Sequence, residues 1–102
     1  MAFTLSRTRA DDLARAQDPD TPARELMTLS LHRDAAVRAA VGSRADCPLA
    51  TLLNLALEDD SRVVEAVAAN PMLPERILEM LAEHKRSAVR AIALKRLGQP
   101  AR

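Results

Sequence analysis

Apolar positions along this chain recur with a period of 26 residues. Leu26, Leu52 and Leu78 fall in one slot and Leu29, Leu55 and Leu81 in another; Val37, Val63 and Val89 share a third, and Val41, Val67 and Ala93 a fourth. Repeats on this scale point to a stacked-repeat architecture. Within each period the pattern predicts two short amphipathic helices. The first has Val-x-x-Ala-Val spacing, over Ala35–Ser43 and Ser61–Ala69, with Asp34 and Asp60 placed as N-caps. The second has leucines three apart, over Pro22–His32, Pro48–Glu58 and Pro74–His84, with Ser30, Ala56 or Ala82 completing the buried stripe. Prolines 22, 48 and 74 suit the first helical position, and Thr21 can cap the first of these helices. In the last copy Arg86 replaces the capping Asp, and Ser87 can take over one residue later.

The slots divide the chain into an N-terminal degraded repeat (1–17), repeats over 18–43, 44–69 and 70–98, and a tail (99–102). Asp11–Gln17 falls where a first helix is due, but Asp11 and Arg15 stand in valine slots, as a solvated terminal repeat allows. The ten residues MAFTLSRTRA read as an irregular start that folds over the end of the stack. Small residues at Ala40, Ala66, Ala56 and Ala82 let neighbouring backbones approach. The predicted core columns are Leu26, Leu29, Val37, Val41, Leu52, Leu55, Val63, Val67, Leu78, Leu81 and Val89. Val64 and Leu57 are expected to face outward.

Composition sharpens this to an all-α fold. Hydrophobic residues make up 48% of the 102, with one Phe, no Trp or Tyr and only two Gly, so the core is aliphatic, as in packed helices. Net charge is +1, which argues against a strongly basic nucleic-acid binder. The sign is uneven, because Arg86–Arg102 carries five basic residues and no acidic one. One cysteine cannot form an internal disulfide, no apolar run spans a membrane, and the N-terminus lacks a signal-peptide core, so the expected location is the cytoplasm.

The unit D-x-x-V-R-x-A-V-x-x-N/R-x-x-x-P-x-x-x-L-x-x-L-A resembles the leucine-rich repeat variant family of bacterial proteins. The residues that carry the resemblance are Val37-Arg38-Ala39-Ala40-Val41, Ala68-Ala69-Asn70-Pro71 and Leu78-x-x-Leu81-Ala82, within a match covering roughly 18–98. It implies an α-α superhelix, a right-handed solenoid in which an α-helix alternates with a second short helix, often 3₁₀. The chain departs from the pattern at Val64, where Arg38 and Arg90 keep the arginine, at Arg86, and in having Asn-Pro intact in one full copy. Some relatives hold an N-terminal iron–sulfur cluster, which needs four thiolates; with Cys47 alone, no cofactor is carried over. HEAT repeats are similar in design but longer.

Candidate chemistry is sparse. Cys47 precedes a helix, which can activate a thiol, but it shares a slot with Leu73 and reads as a small hydrophobe. His32 and His84 are two repeats apart, too far for one metal site, and read as complements to helix C-termini. Glu58-Asp59-Asp60 could draw a cation, although Asp60 reads as a cap. Arg38 and Arg90, with Arg44 and Arg96, would line a broken basic ridge. Arginines in such slots more often brace neighbouring repeats through carbonyls and carboxylates. With no phosphate loop, nucleophile–base pair or metalloprotease spacing, the expectation is a non-enzyme without metal or cofactor. It would bind an unidentified protein through a surface including Arg38, Arg44, Val64, Arg90 and Arg96. The alternative is weak phosphate-directed nucleic-acid binding along the arginines, without aromatics to stack on bases.

Overall fold

Each half of the 26-residue unit folds as a separate α-helix, and the computed structural model, which describes residues 8–100, is all-helical. Seven helices follow in order: α1 (Arg9–Gln17), α2 (Ala23–Leu29), α3 (Ala35–Gly42), α4 (Leu49–Ala56), α5 (Ser61–Ala69), α6 (Glu75–Leu81) and α7 (Ser87–Arg96). The described residues contain no strand. The odd-numbered helices pack in a row, α1 on α3, α3 on α5 and α5 on α7. The even-numbered ones each pack against the odd-numbered helix that follows, α2 on α3, α4 on α5 and α6 on α7.

None of these helices would be stable alone at its length, so burial must hold them. All eleven predicted core residues are buried, and Leu26, Val37, Val41, Val63, Val67 and Val89 are wholly inaccessible. Each such aliphatic side chain contributes roughly 1.5–3 kcal/mol by leaving water. Ala56 and Ala82 are buried with them, whereas Ser30 is only half-buried and turns its hydroxyl to the Met27 carbonyl at 2.6 Å. Ala40 and Ala66 are also half-buried. α3 and α5 come close at Gly42, where an added Cβ would stand 3.0 Å from Val67 Cγ2.

The ends of the helices follow local chemistry. Asp34 and Asp60 cap α3 and α5, accepting from the amides of Ala36 at 2.8 Å and Arg62 at 2.9 Å. Thr8, one period before Asp34, caps α1 in a reciprocal box with Asp11, so Thr8–Ala10 belong to a regular element and not to an irregular start. The expectation for Phe3 and Leu5 lies outside the described residues. The prolines sit at the cap and not at the first helical position, with α2, α4 and α6 beginning one residue later and ending at Leu29, Ala56 and Leu81. Thr21 does not cap α2: it is buried and gives its hydroxyl to the Arg15 carbonyl. Ser87 is the first residue of α7, whose cap position, Arg86, makes no side-chain cap. The short second helices are α-helical throughout. After α7, Gly98 takes φ +73° and lets the Gln99 amide bond back to the Leu94 carbonyl at 2.9 Å, the left-handed ending that glycine permits.

Candidate interaction surface

The arginine slots reach back to backbone carbonyls of the preceding unit. Arg44 Nη1 donates to the carbonyls of Ala16 at 3.0 Å and Asp18 at 2.7 Å. Arg96 Nη1 does the same two units on, to Ala68 at 2.8 Å and Asn70 at 2.6 Å. Between them Asn70 Nδ2 donates to Gly42 at 2.7 Å and Arg44 at 2.8 Å. Sequence reading missed this third rung, although Asn70 occupies the slot of Arg44 and Arg96 and carries an N–H group of the same donating kind. Each donor reaches back 28 and 26 residues to carbonyls that the end of an odd-numbered helix leaves without an intrahelical partner. Asn70 is almost wholly buried, and its Oδ1 accepts the Met72 amide at 2.8 Å, so all its burial is compensated.

Arg38 and Arg90 form a second periodic set at the opposite end of their helices. Both donate Nη1 to the carbonyl six residues back, Arg38 to His32 at 2.7 Å and Arg90 to His84 at 2.8 Å. Arg38 adds an ion pair to Glu58 at 3.0 Å. That pair lies in the same slots as Asp12 and His32, where the carboxylate is on the odd-numbered helix and the His32 Nε2 meets Asp12 Oδ2 at 3.0 Å. In the next copy the two slots hold Val64 and His84. Val64 does not face outward: it is wholly buried, because α5 is packed by α3, α4 and α7 together. It cannot line a contact surface in this fold.

The charges of the two halves are settled differently. Arg15 pairs with Glu25, Arg38 with Glu58 and Arg44 with Asp46. Arg90 and Arg96 have carbonyl partners and no carboxylate among the described residues. Arg90 and Arg96 are therefore uncompensated among the described residues, though held in place.

Apolar surface gathers on the even-numbered helices. Leu57 is 74% exposed, Leu49 51% and Met80 45%. A groove of about 430 Å³ between α4 and α6 is lined by Leu49, Leu53, Pro74, Arg76, Ile77 and Met80. At Met80 this furrow adjoins a smaller hollow that reaches Leu57, His84 and Lys85. α4 contributes no charge to it, its sequence being LATLLNLA. Leu31, in the slot of Leu57 one unit earlier, is 84% exposed.

The remaining candidates are placed as follows. Cys47 is buried, and loss of hydration together with nearby Asp46 pushes its thiol up to about 11, the reverse of an activated cysteine. His32 and His84 lie just beyond the helix ends and act as acceptors: their Nδ1 atoms take the amides of Asp34 at 2.9 Å and Arg86 at 3.1 Å. Burial, then Lys85, Arg86 and Arg90, hold His84 below the ordinary histidine range, and Asp59 opposes them. Asp59 pairs with Lys85 at 3.0 Å and Asp60 caps α5, so Glu58-Asp59-Asp60 is divided among three partners. No group of three metal-ligating side chains occurs among the described residues, and none of their helices is long and apolar enough to cross a membrane. No family profile, curated protein or solved structure matches the chain.

Proposed function

We propose that this chain is a non-catalytic helical-repeat protein that works as a protein–protein interaction module. The observation that carries the reading is the furrow between α4 and α6, largely apolar and served by an uncharged helix, in a chain that is 28% charged. Exposed apolar surface gathered in one place and rimmed by charge is characteristic of a contact site. The period-26 ladder of Arg44, Asn70 and Arg96 supports the accompanying proposal for the fold, a right-handed α-α superhelix of the kind seen in leucine-rich repeat variant proteins, since such stacks present extended faces. The test is affinity capture with the wild-type chain and with Leu49→Asp/Leu57→Asp, both checked for native helicity. A protein held by the first, released by the second and binding again as purified material is the expected result. Capture indifferent to the substitutions would refute the furrow as the site.

A second reading, weak phosphate-directed binding of nucleic acid, draws on the uncompensated Arg90 and Arg96. It requires affinity for a random duplex that falls steeply with salt and is lost in Arg90→Glu. No binding at low salt would remove it.

A further inference from the structure

The rim of the furrow carries both signs of charge in unpaired form. Arg76 lines the groove, and on the same helix Glu75 and Glu79 are exposed; none of the three makes an ion pair or side-chain hydrogen bond with another described residue. Stud and socket also coexist, because Met80, 45% exposed, lies on the wall of the groove that it lines together with Leu49, Leu53 and Ile77. A surface that a two-fold axis brings against itself must be complementary to itself, each residue finding its partner on the other copy. This patch meets that requirement. A cation and two anions lie within one helical turn of each other on α6, and the knob and the hollow are adjacent.

We infer that a second copy of this chain occupies the furrow, in a symmetric dimer with α6 antiparallel to α6 of its partner. An axis passing between Arg76 and Glu79 sets each Arg76 against the other copy's Glu79 and points each Met80 towards the opposing furrow. The inference rests on the reading of the chain as an interaction module and names the partner of that same face. Two helices of seven and eight residues offer a small contact. So small a contact belongs with the weak, reversible associations, which bury less than roughly 1,200 Å².

Sedimentation velocity on the full chain, from about 1 μM to about 1 mM, covers the range of weak association. The expected result is a concentration-dependent shift from monomer to dimer. Met80→Asp, at an exposed position that leaves the core intact, should abolish it. Arg76→Glu and Glu79→Arg should each weaken it about tenfold, by placing like charges together. The double variant, which restores opposite signs across the axis, should recover it, an outcome that a merely structural role for either residue does not produce. A chain that stays monomeric throughout, or a dimer indifferent to Met80→Asp and the charge swap, overturns the inference. Capture of a different protein by the same face, with the chain itself monomeric, also overturns it while sustaining the interaction-module reading.

Discussion

Asn70 donates to the backbone carbonyl of Arg44 at 2.8 Å, and the Arg44 side chain donates in turn to the carbonyl of Asp18 at 2.7 Å. The relation between Asn70 and Arg44 is thus one of succession, each bracing the unit behind it. Arg96 continues it by reaching the carbonyl of Asn70.

The chemistry of that position gives a graded expectation. Asn70→Leu leaves the Gly42 and Arg44 carbonyls without their donor and should cost about 1–3 kcal/mol for each group left buried and unsatisfied. Asn70→Asp should be no better, since a carboxylate cannot donate to a carbonyl. Asn70→Arg should be the mildest, because the slot already accepts arginine twice. Urea denaturation of the three variants decides the order.

The central unit should be the most sensitive to core truncation. Leu52→Ala is expected to lower stability by roughly 2–5 kcal/mol, a large share of what a domain of this size possesses. Val64→Asp should prevent folding altogether, whereas Leu57→Asp, in the same region but 74% exposed, should be tolerated. Circular dichroism under native conditions separates these outcomes.

Some of this was legible in the sequence and some was not. The columns of Leu and Val were readable because a helical side chain that meets the same neighbour in every unit must be apolar in every unit. The burial of Val64 is not legible from its slot, which holds the polar Arg38 and Arg90 in the other copies. In fact the Arg38 side chain is only 17% exposed, its stem covered and its head tied to Glu58 and the His32 carbonyl. The repeat pattern admits Asn or Arg at the Asn70 slot, but the rung itself was hidden, since that both side chains donate there shows only once their carbonyl acceptors are placed. The Thr8 cap was visible in principle, as Thr-x-x-Asp one period before Asp34. The furrow was not, because it is made by the gap between helices, to which periodicity within one helix is blind.

Cys47 should be inert in the folded protein. With its thiol pushed up to about 11, almost none is ionised near neutrality, and burial bars access. Reaction with a disulfide reagent at pH 7.5 should proceed far more slowly in buffer than in denaturant. Equal rates would contradict the burial.

Acid should weaken the fold in two stages. The Ala36 amide and then Arg9 hold the Asp34 carboxyl below its ordinary range, so the unfolded chain takes up that proton first. Its contribution is complete above about pH 4 and is lost as pH falls through the folded value. His84, depressed chiefly by burial, behaves alike at higher pH: its contribution is whole above about pH 6.5 and declines below. The thermal midpoint should therefore slope downward first below neutrality and again in the carboxylate range. His84→Asn should flatten the first slope, and Asp34→Asn, which keeps a competent cap, should lessen the second.

Because every rung of the Arg44, Asn70 and Arg96 ladder reaches back by the same 28 and 26 residues, the chain has a natural unit of excision. Removing residues 44–69 would bring Asn70 to the Ala16 and Asp18 carbonyls that Arg44 now serves, with every donor still opposite an acceptor. Cutting one residue more or fewer would put the ladder out of step. A deletion of 26 residues thus keeps the donor–acceptor spacing of the ladder, which a deletion of any length out of step with that period would break.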